Sequence, residues 1–302
     1  LSPASRSWAQ AREGYAITPD SVRLWYRVVG HGQETVLAPM GVYHGTRLDP
    51  LAEGRRLVLY DPRGRGHSAA VPPEKVSLDY QIRDIETIRQ AVGAHRVALI
   101  GWSGLGMELF VYTLRHPDRV TRLVQLAPVP PRRDPYMQAM MASRRLRTDS
   151  AEWTALQGRK SRGEFEADEA SWCRELNRVT APASFGDTAV AAQVPDVCGF
   201  PNEWPSHLGP YFDALLGSFG AFDWRRELPR VRIPRLVIHG ERDNIPLDGS
   251  KEWVAGQPAA RLLVIHGAGH WPHYERSDET LAAIQRFLEG RWPEAAVKGI
   301  VP

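Results

Sequence analysis

Apolar positions along this chain change their period several times, and each change marks an element. Residues 15–29 alternate in part and are broken at Pro19-Asp20-Ser21, the pattern of a hairpin. Thr35-Val36-Leu37-Ala38-Pro39 and Arg56-Leu57-Val58-Leu59-Tyr60 are short apolar runs of the kind a sheet buries on both faces. A short helix fits between them, near 45–53. Residues 78–92 switch to helical spacing, with Leu78, Ile82, Ile85, Ile88 and Val92 separated by charges. Two more buried runs, near 97–102 and 120–126, flank a helical stretch that reaches about His116. Strands alternating with helices predict a mostly parallel sheet covered on both faces.

The alternation stops near Ala127-Pro128-Val129-Pro130-Pro131. From 132 to about 229 the chain reads as helical and irregular, with Trp153, Trp172, Trp204 and Trp224 but few β-branched runs. Sheet grammar returns at Arg235-Leu236-Val237-Ile238-His239-Gly240, followed by a helix near 249–257, a strand at 261–265 and a last helix near 277–289. The final residues, 293–302, read as a loose tail. The expected organisation is a core domain of residues 1–130 and 230–302, with residues 131–229 inserted as a helical cap. Such a cap roofs the carboxyl ends of the strands, where open α/β sheets bind ligands.

Composition changes this picture little. At 302 residues, 43% hydrophobic and 24% charged, the chain suits a soluble globular protein with a sizeable core. The net charge of +3 gathers at Arg132, Arg133, Arg144, Arg145 and Arg147, read as a solvated helix face because no nucleic-acid motif accompanies it. No apolar run has the length of a membrane span. Neither nucleic acid nor membrane is therefore expected as a partner. Cys173 and Cys198 allow one disulfide or two free thiols, and neither has a metal-ligand neighbour at useful spacing. The start at Leu1 rather than Met leaves the compartment open between cytoplasmic and secreted after loss of an N-terminal segment. Oligomeric state is not readable.

The chemistry is carried by three strand ends. The run 97–102 closes on Gly101-Trp102-Ser103-Gly104-Leu105-Gly106, and a helical pattern follows at once. A serine on so tight a strand-to-helix turn holds its hydroxyl clear of the backbone beside free N–H groups, which is how a nucleophile elbow is built. Serine needs a base. After the cap, strand 235–239 leads into Gly240-Glu241-Arg242-Asp243, and strand 261–265 into His266-Gly267-Ala268-Gly269-His270-Trp271-Pro272. The order Ser103, Asp243, His270 is that of the α/β-hydrolase triads. His44, His67, His239 and His266 are weaker candidates for the base.

With Asp61-Pro62-Arg63-Gly64-Arg65-Gly66-His67-Ser68, these motifs make the chain resemble the α/β-hydrolase fold family over about 15–290. The resemblance implies a mostly parallel eight-stranded sheet flanked by helices, with an inserted cap similar to that of proline iminopeptidases, esterases and C–C hydrolases. It also implies Ser103 as nucleophile, His270 as general base and acid, and Asp243 as the group that orients the imidazole. Gly104 should give one oxyanion N–H. Met40-Gly41 matches the family's His-Gly, making Val42 the second donor. Two departures stand out: Leu105 occupies a position usually small, and the iminopeptidase loop His-Gly-Gly-Pro-Gly is absent.

The expected reaction is acyl transfer on a small-molecule ester, with a short peptide as the alternative substrate and no cofactor or metal. Trp102, Tyr43, Trp271 and Met107 are candidates to line the pocket, as are the cap tryptophans, although core packing is the commoner role of the latter. An aminopeptidase needs a cap carboxylate for the substrate's ammonium, and Glu203 is the candidate beside its plainer reading as a surface or helix-capping residue. C–C bond hydrolysis and a non-enzymatic ligand receptor on the same scaffold remain as remoter readings. The serine argues against the branches that use an aspartate nucleophile.

Overall fold

The computed structural model describes residues 11–299. Nine strands form one sheet: β1 (Arg12–Ile17), β2 (Arg23–Val29), β3 (Thr35–Pro39), β4 (Arg56–Tyr60), β5 (Val97–Trp102), β6 (Val120–Leu126), β7 (Arg235–Gly240), β8 (Ala260–Ile265) and β9 (Val297–Lys298). Their spatial order is β1-β2-β4-β3-β5-β6-β7-β8-β9. From β4 through β8 all neighbours run parallel, while β1, β2 and β9 pair antiparallel at the two edges. Among the described residues the count is nine strands where eight were expected. The extra strand comes from the tail expected to be loose, whose Val297 and Lys298 pair with Leu262 and Arg261.

The parallel strands are apolar at nearly every position because both faces are covered. Successive residues go to opposite cores. Leu37, Leu99, Leu123 and Val237 join one cluster with Phe110 and Trp253. Val36, Ile100, Val124, Leu236 and Ile238 join the other with Ile284 and Phe287. The covering helices are α1 (Gly41–His44), α2 (Leu78–Ala91), α3 (Gly104–Arg115), then α4 (Tyr136–Arg147), α5 (Ser150–Ser161), α6 (Glu169–Ser184) and α7 (Pro205–Phe219) between β6 and β7, and α8 (Leu247–Val254), α9 (Pro272–Glu275) and α10 (Ser277–Leu288). Where one helix was expected near 45–53, the chain instead makes the single turn of α1 and a 3-10 turn at Asp49–Ala52.

The segment between β6 and β7 has a small core of its own, Leu156, Phe165, Trp172 and Val179. A disulfide joins Cys173 of α6 to Cys198, settling a question the sequence left open. Of the arginines read as a solvated face, Arg144 and Arg145 are exposed, whereas Arg132 pairs with Glu252 at 2.6 Å. No helix among the described residues is long and apolar enough to cross a membrane.

Candidate active site

Ser103, Asp243 and His270 follow β5, β7 and β8, three strands of the parallel run, so all three emerge at one edge of the sheet. Ser103 takes φ 58° and ψ −129°, a conformation costly for a residue with a Cβ. Its surroundings hold it there. Its N–H donates to Leu126 O (2.9 Å), and its carbonyl accepts from Gly106 N (3.0 Å) and Val129 N (3.2 Å). The helix then passes close to the strand: a Cβ on Gly101 would lie 2.7 Å from Leu105 O and 2.8 Å from Gly106 Cα. Gly101 and Gly106 make this close pass, so the bulk of Leu105 is tolerated. Its side chain packs instead against the cluster of Met40, Val42, Val197, Cys173 and Cys198.

His270 Nε2 lies 2.9 Å from Ser103 Oγ, and Nδ1 lies 3.0 and 3.1 Å from the Asp243 oxygens. Asp243 Oδ1 also accepts the Ile245 N–H at 2.9 Å. The Asp243 side chain is fully buried and that of His270 is 12% exposed. An imidazole that donates from Nδ1 to a carboxylate presents the Nε2 lone pair to the serine hydroxyl. Trp102 Nε1 donates to His270 O (2.8 Å) and its ring lies 4.0 Å from that of Trp271. None of the four weaker histidines joins this group. His67 Nδ1 contacts Asp61, His239 Nδ1 contacts Ser250, His266 Nδ1 contacts Glu241, and His44 is fully buried.

Gly104 opens α3, and N–H groups of a first helical turn have no acceptor inside the helix. Val42 corrects the expectation. Its N–H donates to Asp61 Oδ1 at 2.8 Å and is therefore engaged, not free for an oxyanion. The other oxygen, Asp61 Oδ2, accepts the His67 N–H at 3.0 Å. The motif containing Asp61 was visible in the sequence, but nothing in its spacing tied it to Val42.

Tyr43 and Trp271 line a cavity of about 660 Å³ whose other walls include Phe185, Asn177, Thr188 and Cys198. Trp102, whose ring packs on that of Trp271, is not among its walls. None of Trp153, Trp172, Trp204 and Trp224 lines this cavity, nor does Met107, which is buried in the main core. Glu203 departs furthest from expectation. It is neither a surface residue nor an open amine-binding carboxylate. Only 1% exposed, it accepts from Arg65 Nε (3.0 Å), Arg65 Nη2 (2.7 Å), Gly66 N (2.8 Å) and Tyr43 OH (2.9 Å). It ties the inserted segment to the Gly64–His67 turn of the core. Burial and the nearby Glu203 charge push the Tyr43 phenol up, away from ionisation.

Comparisons with known proteins bear on the family and the fold. A family model described as alpha/beta hydrolase fold matches residues 40–277, and the chain belongs to that family. It is 24% identical to the 2-hydroxy-6-oxononadienedioate/2-hydroxy-6-oxononatrienedioate hydrolase 2 of Pseudomonas putida, over 96% of this chain and 98% of the other. It is 22% identical to a proline iminopeptidase of Lactobacillus helveticus, over 88% of this chain and 94% of the other. Among solved structures, a thermophilic esterase from Thermogutta terrifontis superposes with TM-score 0.69 at 20% identity, covering 92% of this chain and 98% of that one. Hydrolases of different bonds thus share this scaffold, and fold does not choose between them.

Proposed function

We propose that the protein is a serine hydrolase that cleaves a small carboxylic ester through Ser103, His270 and Asp243. The observation that carries this reading is the unbroken chain of contacts, Ser103 Oγ to His270 Nε2 at 2.9 Å and His270 Nδ1 to Asp243 at 3.0 Å. Ser103 Oγ attacks the ester carbonyl while His270 Nε2 takes its proton, and Asp243 steadies the imidazolium that forms. The Gly104 N–H faces the developing oxyanion. Collapse of the tetrahedral intermediate expels the alkoxide, which takes the proton from His270. A water activated by the same imidazole then releases the acid and restores the serine.

The aminopeptidase reading loses support from Glu203. All its acceptor sites are taken and its charge is matched by Arg65, so it has nothing to offer a substrate ammonium. C–C bond hydrolysis stands as a second reading on the likeness to the Pseudomonas putida protein.

Turnover of p-nitrophenyl butyrate and of proline p-nitroanilide by wild type and Ser103→Ala tests the proposal. Ester turnover that disappears in Ser103→Ala, without anilide turnover, is the expected result. Full ester activity in Ser103→Ala would overturn it.

A further inference from the structure

We infer that Glu275 is the positioning residue of the catalytic imidazole, clasping the His270 loop to the inserted segment through backbone N–H groups alone. This rests on the assignment of Ser103 and His270 above. His270 lies on a loop between β8 and α9 that belongs to no strand or helix. Asp243 orients its ring, but something else must fix its backbone. Glu275 Oε1 accepts the N–H of the residue on each side, Gly269 (2.8 Å) and Trp271 (3.3 Å). Oε2 accepts the N–H groups of Gly186 (2.6 Å) and Asp187 (3.1 Å), just past the end of α6. From the same segment, Ser184 O accepts the N–H of His270 itself at 2.7 Å.

The clasp is closed and tight. Glu275 is 6% exposed, and its own N–H returns to Trp271 O at 2.9 Å. A Cβ on Gly186 would lie 2.6 Å from Gly267 O, and one on Gly269 would lie 2.6 Å from Gly186 N. Two glycines therefore let the segments approach this closely. Among the described residues no cation pairs with the Glu275 carboxylate. Four N–H dipoles converge on it, a demand a carboxylate meets and an amide does not, since an amide NH2 turned toward them faces donors with a donor. Burial pushes the carboxyl up while those N–H groups favour the anion.

A second contact points the same way. Arg147, at the end of α4, donates to Arg242 O and to Asp243 O (3.3 Å). The inserted segment thus grips both the acid loop and the histidine loop, so displacing it from the sheet edge removes supports from His270. Misplacing a reacting group by about 1 Å costs on the order of 100-fold in rate.

The test is the rate of Ser103 labelling by a fluorophosphonate, together with kcat and KM for p-nitrophenyl butyrate, in wild type, Glu275→Gln and Gly186→Ala. Folded fraction is measured by circular dichroism in each. Glu275→Gln keeps the side-chain volume, and Gly186→Ala attacks the clasp from the opposite side. Labelling and kcat per folded molecule should fall about 10- to 100-fold in both, with KM changed less than about threefold. A variant that folds and labels within twofold of wild type overturns the inference. A folded wild type whose serine does not label at all overturns the serine-hydrolase reading instead, so the two failures are told apart.

Discussion

Two buried carboxylates near the edge where the strands end are held in opposite ways. Asp243 contacts an imidazole and one backbone N–H. Glu203 contacts both arms of a guanidinium, a phenol and a backbone N–H. An imidazole changes charge near neutral pH, whereas a guanidinium does not. The His270 ring keeps a second nitrogen facing Ser103, so it can exchange a proton there while Asp243 holds the other side. Glu203 and Arg65 form a fixed charge pair that fastens the inserted segment to the Gly64–His67 turn. Both sites are buried and polar, so burial alone does not mark the chemistry. What separates them is whether a third group, here Ser103, waits on the partner's far side.

Asp243→Asn is the sharpest way to break the first pair. It keeps the shape but favours the wrong imidazole tautomer, and kcat for an ester should fall about 10⁴-fold with little change in the thermal midpoint. The corresponding change at the second site, Glu203→Leu, strands the Arg65 charge in the interior. It should cost about 3–5 kcal/mol of stability in a denaturant titration, read on the folded enzyme with kcat far less affected. Adding Arg65→Met to Glu203→Leu should recover much of that loss, because removing both charges also removes the stranded one. A double variant no more stable than Glu203→Leu would mean the pair itself, and not the orphaned cation, supplies the stability.

The first site was legible in the sequence and the second was not, for a physical reason. Ser103, Asp243 and His270 each follow an apolar run that announces a strand, and parallel strands deliver their ends to one edge whatever the details between. Glu203 meets Arg65 across 138 positions, through turns with no period. The Val42 N–H is taken by a side chain 19 positions away, and the Glu275 clasp is made entirely to backbone, which any residue but proline presents. The ninth strand escaped because two residues carry no alternation to read. The Leu105 departure turned out harmless because the close pass falls to Gly106, one position later.

The disulfide sharpens the comparison from the side of the inserted segment. Cys173 Sγ lies 3.8 Å from Glu203 O, and Cys198 packs in the same cluster as Val42 and Met40. Closing a loop across a sequence separation of 25 is worth about 3.5 kcal/mol by chain entropy. Cys173→Ala with Cys198→Ala should therefore lower stability by that order, with the loss appearing first as faster proteolysis within 150–219. If the loss instead appeared uniformly across the chain, the inserted segment and the sheet would be one cooperative unit.

Glu108 offers a third way of keeping a carboxyl inside. It is 4% exposed on α3, five positions after Ser103, and burial pushes it up to about 8, against a partial opposing pull from Arg65. At neutral pH it is therefore largely protonated, neither switched by an imidazole nor fixed by a guanidinium. The sign follows from proton binding. Between the ordinary value of 4.5 and about 8 the folded state holds a proton that the unfolded state has lost, so this group's stabilising contribution falls as pH rises. The slope is about 1.4 kcal/mol per pH unit at most and levels off above the folded value. Glu108→Gln removes the titration while keeping the neutral shape. Stability measured from pH 5 to 8 should decline less steeply in the variant, and the variant should exceed wild type at pH 8. Parallel curves for the two proteins would mean that Glu108 is ionised in the folded state, with Arg65 then serving two carboxylates and the Glu203 pair correspondingly weaker.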